Sequence, residues 1–156
     1  MQINRLIERL CDANVDFVIV GGFAGILHGS TLVTRDLDVC VVLSPENVEH
    51  LRETLCDLQP RHRFTPQKLS FLDSPEPGVA LKNLYLETDL GPVDFLGSIK
   101  GIGDFERVRA ASIEIELFGR RCRVISIEDL IEAKQALGRE KDLIAVKELR
   151  VILEKK

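Results

Sequence analysis

A short β-branched run, DFVIV at residues 16–20, stops abruptly at Gly21-Gly22, and after thirteen intervening residues Asp36-Leu37-Asp38 opens a second apolar run. Further on, Val93-Asp94-Phe95 places one more acid between apolar neighbours. The order of these three pieces constrains the chain more than any one of them. Residues i and i+2 of a strand point to the same face, so Asp36 and Asp38 project together, and a neighbouring strand carrying Asp94 adds a third carboxylate. Asp89 competes for that third position, but it sits in a turn-like stretch whereas the flanks of Asp94 are strand-like. Three such acids repel one another unless a divalent cation lies among them. Magnesium suits the set because it takes hard oxygen ligands and shares them with substrate phosphates; manganese is the alternative. Glycines ahead of a helix let backbone amides approach phosphates closely, so Gly21 and Gly22 read as a phosphate-binding turn, with the Ser30 hydroxyl close to it. A plain strand-to-helix turn and a solvated strand end are the structural alternatives for the glycines and the acid pair. A dinucleotide fingerprint fits poorly, because G-x-G-x-x-G requires glycine where Phe23 stands.

The remaining pattern predicts an α/β chain. Ile3, Leu6, Ile7 and Leu10 recur at helical spacing, with Asn14 marking the end. GFAGILHG reads as a short helix in which His28 is a terminating residue, and DLDVCVVL as a strand over Asp36 to Leu43. A helix follows from Ser44, a good N-cap ahead of Pro45, with Val48, Leu51, Leu55 and Leu58 on one stripe and an end near Pro60. The segment 61–78 holds Arg61, His62, Arg63 and Lys68 together with Pro66, Pro75 and Pro77, and reads as a loop or irregular edge strand. NLYLET and PVDFLG form two strands around a turn at Asp89 to Gly91, then Phe105, Val108 and Arg109 mark a brief helix. IEIELFGRRCRVI alternates on both sides of Phe118-Gly119 as a hairpin does. Ser126 and Asp129 open a helix in capping-box fashion, Gly138 interrupts it, and 140–154 forms the last helix.

Lys134 lies between Leu130 and Leu137 on the apolar stripe of its helix, and an ammonium there needs a partner. Asp142 shares the inward stripe of the last helix with Val146, Leu149 and Leu153, so a structural Lys134–Asp142 pair is one reading.

A chain of 156 residues predicts a single domain, 1–156, with a C-terminal helical part at about 126–156. No apolar run approaches the ~20 residues of a membrane span, and MQINRLIERL carries acid and arginine within a helical period instead of a signal core, which predicts a cytoplasmic protein. Cys11, Cys40, Cys56 and Cys122 lack CxxC spacing and read as free thiols. The net charge of -4 excludes a wholesale basic coat, yet it is uneven: residues 1–119 hold 11 basic and 18 acidic side chains (-7), and the remainder 10 and 7 (+3).

The strand, the Gly-Gly pair and the Asp-x-Asp resemble the signature of the nucleotidyltransferase superfamily related to polymerase beta. VGGFAGILHGS followed by TRDLDV, with VISIEDLIEAKQALGREKDL near the C-terminus, is similar to the bacterial AbiEii and MenT nucleotidyltransferases; Leu32 stands where many of those relatives carry arginine. The resemblance implies a minimal nucleotidyltransferase fold, a short mixed β-sheet with helices packed on one side and a C-terminal helix pair closing over the site. It implies a magnesium-dependent enzyme that moves a nucleoside monophosphate from a nucleoside triphosphate, ATP among them, to a hydroxyl. Asp36, Asp38 and Asp94 would hold metal, with Lys134 and Asp142 at the active site and Lys134 directed toward the triphosphate. RNA or tRNA, a protein or a small molecule would be the acceptor. A toxin-antitoxin role with an antitoxin partner, or a homodimer completing the acceptor site, belongs to the same expectation, and a non-catalytic nucleotide-binding module of the same fold is the alternative.

Overall fold

The computed structural model describes residues 1–156. In chain order the elements are α1 (Ile3–Asp12), β1 (Val18–Val20), α2 (Gly21–Leu27), β2 (Leu37–Cys40), α3 (Pro45–Leu55), β3 (Arg61–His62), β4 (Asn83–Thr88), β5 (Gly91–Leu96), β6 (Ser98–Ile99), β7 (Gly103–Asp104), α4 (Phe105–Ala110), β8 (Ile113–Leu117), β9 (Arg120–Val124), α5 (Ile127–Leu137) and α6 (Glu140–Glu154). Seven strands make one mixed sheet in the order β3-β4-β5-β2-β1-β9-β8, and β6 pairs with β7 apart from it. Strands β1 and β2 are antiparallel, β2 and β5 parallel, β1 and β9 parallel. The expected α/β architecture with a mixed sheet and flanking helices is therefore present, and the strands expected to carry the acids lie side by side at its centre.

Local chemistry explains most element ends. Ser44 accepts from the Asn47 backbone N–H at 3.3 Å, with Pro45 in the first helical position of α3. Ser126 caps α5 by accepting from the Asp129 N–H at 3.1 Å. The Asp129 carboxylate does not complete a capping box but takes both terminal nitrogens of Arg107 from α4, at 2.8 and 3.0 Å. Asn14 follows α1 at φ 59, and Phe118-Gly119 join β8 to β9 at φ 52 and 77, the two positive values of a type I′ hairpin turn.

Several boundaries differ from the sequence pattern. The second strand is confined to Leu37–Cys40 instead of running from Asp36 to Leu43, and the helix expected to reach Pro60 ends at Leu55 and tightens into a 3-10 turn at Cys56–Leu58. The segment after Pro60 begins with the edge strand β3, paired through Arg61↔Glu87 and His62↔Leu86, and is anchored by Phe71, which is fully buried. The small β6–β7 pair has no counterpart in the sequence reading.

The core is one cluster of 36 buried side chains that includes Leu6, Ile7 and Leu10 of α1, Val39 of β2, Phe95 of β5 and Leu149 of α6. Strand β4 alternates, with Leu84, Leu86 and Thr88 buried and Tyr85 exposed. Tyr85 is directly opposite Asp94, and Asp94 is directly opposite Asp38, so the acids stand in the row of side chains that includes the exposed face of β4.

Candidate active site

Asp36, Asp38 and Asp94 each offer a carboxylate oxygen to a group whose members all lie within 4.8 Å of one another. Register produces this meeting. Asp38 pairs with Asp94 across the parallel β2–β5 ladder, and Asp36 precedes β2 by one residue, two positions from Asp38. Asp89 lies in the β4–β5 turn, where its N–H donates to the Leu58 carbonyl, and it does not reach the cluster. At an effective dielectric constant of about 20, two carboxylates at such a distance repel by roughly 3 kcal/mol, so the cluster calls for a proton or a cation. The Asp38 carboxyl is pushed up to about 7, first by burial and then by the charge of Asp94, a hydrogen bond to it, and Asp36. Asp94 is also raised by burial, with Arg63 opposing.

Gly21 and Gly22 explain how the cluster fits against α2. Gly21 has φ +68, and a Cβ there would lie 2.2 Å from Asp38 Oδ2; a Cβ on Gly22 would lie 2.7 Å from Thr34 Oγ1. The Gly-Gly pair is thus required by the close approach of Asp38 in β2 and of Thr34 in the loop before it.

In front of this arrangement is a cavity of about 570 Å³, within the range of small-molecule sites. Gly21, Gly22, Ser30, Asp36 and Asp38 line one side, and Lys134, Arg139, Lys141 and Asp142 come from the C-terminal helices on the other. Leu32, Val33, Leu137 and Ile144 add an apolar wall, on which Val33 is 90% exposed. The positive C-terminal segment therefore faces the acids across one cleft.

The structural Lys134–Asp142 pair does not form. Asp142, buried at the third position of α6, accepts from the Arg139 N–H at 3.3 Å and from Arg139 Nε at 2.6 Å. Burial would raise its pKa, but the Arg139 hydrogen bonds and the charges of Arg139 and Lys134 outweigh it and hold the carboxyl below its ordinary value. Lys134 makes no ion pair within 4.0 Å; it is half-buried, and burial lowers its pKa against the attraction of Asp142 and Asp38. The helix spacing placed both residues on inward stripes correctly, but Arg139, the N-cap residue just before α6, reaches the carboxylate first.

Ser30 is engaged as well. Its hydroxyl donates to Glu148 Oε1 at 2.5 Å and accepts from the Leu32 N–H at 3.1 Å, while Thr31 donates to Glu148 Oε2 from N and Oγ1 at 3.2 and 2.6 Å. Glu148, unmarked in the sequence reading, thus ties the loop after α2 to α6. His28 ends α2, as expected, and its Nε2 donates to the Ile125 carbonyl at 2.7 Å.

One further residue belongs to the cluster. Arg63 Nη2 donates to Asp94 Oδ1 and Oδ2 at 2.7 and 2.9 Å and lies 3.6 Å from Asp36 Oδ2. Only the basic character of the segment 61–78 hinted at it.

The three-dimensional arrangement has solved counterparts. A lincosamide antibiotic adenylyltransferase, LnuA, seen with lincomycin bound, superposes with a TM-score of 0.61 at 16% identity, covering 97% of this chain and 96% of that one. The fold is that of the nucleotidyltransferases. A Thermotoga maritima protein described as a nucleotidyltransferase matches with a TM-score of 0.58 at 19% identity over 99% of this chain and 91% of its own. ANT(2″)-Ia, in complex with adenylyl-2″-tobramycin, matches with a TM-score of 0.52 at 17% identity over 97% and 98%. No family model and no curated protein matches the chain in sequence.

Proposed function

We propose that this chain is a divalent-metal-dependent nucleotidyltransferase that moves a nucleoside monophosphate from a nucleoside triphosphate to an acceptor hydroxyl. The convergence of Asp36, Asp38 and Asp94 at a cleft whose other side carries Lys134 and Arg139, on a nucleotidyltransferase fold, supports this reading most strongly. The donor set suits magnesium or manganese, being three hard carboxylate groups from adjacent backbone segments. When bound, such an ion offsets triphosphate charge and lowers the pKa of the acceptor hydroxyl.

The chain's own residues then divide the work. Asp36 and Asp38 would hold the metal. Gly21 and Gly22 bring the start of α2 against Asp38 and Thr34 at the cavity wall the triphosphate would follow, and Ser30 fixes the loop beside it. Lys134 faces the phosphates as a half-buried, unpaired ammonium, and Asp142 positions Arg139 next to it. The acceptor oxygen bonds to the α-phosphorus, the bond to the bridging oxygen breaks, and pyrophosphate leaves with that electron pair. Asp94 ligates metal or takes the acceptor proton. An RNA or tRNA end, a protein hydroxyl or a small molecule such as an antibiotic is the acceptor. The resemblance to AbiEii and MenT proteins favours a toxin acting on RNA in the cytoplasm with an antitoxin partner, and LnuA favours a drug acceptor. A second copy of the chain completing the acceptor site fits either case. No helix is long and apolar enough to cross a membrane.

One observation favours a second reading. Arg63 already pairs with Asp94, which suits a non-catalytic nucleotide-binding module. The two readings separate when the chain is incubated with magnesium, each α-labelled triphosphate, and total RNA, protein extract or aminoglycosides and lincosamides. Label transfer by the wild type and not by Asp36→Ala/Asp38→Ala supports the enzyme. Nucleotide binding without transfer in any mixture supports the module.

A further inference from the structure

The chemistry proposed above gives Arg63 no role, yet backbone carbonyls, an aromatic ring and two carboxylates hold it in place. Its backbone N–H donates to the Tyr85 carbonyl at 3.0 Å, and Nη1 donates to the Leu86 carbonyl at 3.3 Å. The guanidinium lies 4.8 Å from the centre of the Phe64 ring, and Nη2 grips both oxygens of Asp94 while approaching Asp36. The side chain is only 17% exposed, so this is a built contact and not a surface arginine resting on an acid.

A guanidinium in that position supplies positive charge on the Asp94 side of the cluster and leaves the Asp38 side, toward Lys134 and the glycines, open to the cavity. Asp94 is absent from the cavity lining, whereas Asp36 and Asp38 are part of it. We propose that Arg63 is the resident cation of the Asp94 side. The free chain accordingly takes one divalent ion, through Asp36 and Asp38, and a second ion binds only in competition with Arg63 for Asp94. Asp94 becomes available as ligand or proton acceptor when Arg63 lets go. This inference rests on the reading of the three aspartates as metal ligands.

Titration of the full chain with Mn2+ alone, followed by electron paramagnetic resonance of the free ion, tests it. The wild type is expected to take up one ion, and Arg63→Gln to gain a second site that binds at least about tenfold tighter than any second site of the wild type, because a fixed positive charge beside the ligand is gone. Arg63→Gln with Asp94→Asn is expected to return to one ion. Equal uptake and affinity in wild type and Arg63→Gln, or weaker uptake in the variant, overturns the proposal. Asp38→Asn separates the two levels: if it abolishes uptake while Arg63→Gln changes nothing, the metal reading stands and the Arg63 proposal falls; if no protein takes up Mn2+, both fall. Should Arg63→Gln fail to fold, the side-chain nitrogen-15 signal of Arg63 in the wild type decides. The guanidinium is expected to keep the slow rotation of an Asp94-bound group through the first equivalent of Mg2+ bound and to lose it with the second, and loss with the first, or no loss with the second, overturns the proposal.

Discussion

Gly21 shows how narrowly the site is built at the residue scale. Its φ of +68 and the 2.2 Å between its notional Cβ and Asp38 Oδ2 mean that a methyl group must displace the acid or the turn. Gly21→Ala is expected to lower stability by about 1–3 kcal/mol in urea denaturation and to abolish Mn2+ uptake. Asp38 itself carries a cost. Its folded pKa of about 7 stands above the ordinary 3.8, chiefly because burial disfavours the charge, so between these values the folded chain holds more of this proton than the unfolded chain. The metal-free protein therefore loses stability as pH rises from about 4 through 7. Asp38→Asn is expected to raise the melting temperature of metal-free protein at pH 8 and to leave it nearly unchanged at pH 4. Magnesium at pH 8 is expected to stabilise the wild type and not the variant. Asp36, Asp38 and Asp94 were legible because strand alternation and apolar flanks mark them within short windows. Arg63 was not, because its place depends on the pairing of β3 with β4, more than twenty positions away along the chain, and its own segment has no period.

At the scale of elements, the C-terminal helix pair does more than cover the sheet. Helix α6 holds the loop after α2 through Glu148, whose carboxyl is kept below its ordinary range by hydrogen bonds from Ser30 and Thr31. Glu148→Ala is expected to speed tryptic cleavage at Arg35 while leaving the helical circular dichroism unchanged. Helix α5 presents Lys134 without a direct partner, which separates its two possible roles. Lys134→Met is expected to keep or raise the melting temperature, since a half-buried ammonium is removed, and to weaken triphosphate binding at least about tenfold in a calorimetric titration. A fall in stability without loss of nucleotide affinity would make Lys134 structural. Helix α5 was legible from its Ser126 cap, α6 from the break at Gly138, and both from their apolar stripes. The exchange of partners at Asp142 was not, because a stripe reports which way a side chain points and not which of two nearby cations reaches it. Strand β3 and the β6–β7 pair are two-residue ladders, too short to leave an alternating pattern.

The whole molecule places its chemistry at the centre of one mixed sheet. Strands β5, β2 and β1 are adjacent, so Asp94, Asp38 and Val20 share one row, and α2 starts at Gly21 directly after it. The net charge of -4 alone argues against a polyanionic ligand. Its distribution changes that inference, since Lys134, Arg139 and Lys141 of the positive segment line the same cleft as Asp36 and Asp38. The cleft is expected to hold a metal-bound nucleoside triphosphate. A crystal grown with Mn2+ and a non-hydrolysable triphosphate tests it most directly, by anomalous scattering. The predicted result is a manganese peak between the carboxylates of Asp36 and Asp38, with the phosphates passing Gly21-Gly22 toward Lys134. A triphosphate bound elsewhere, or one lying in the cleft with no manganese on these carboxylates, would contradict a metal-bound triphosphate site here.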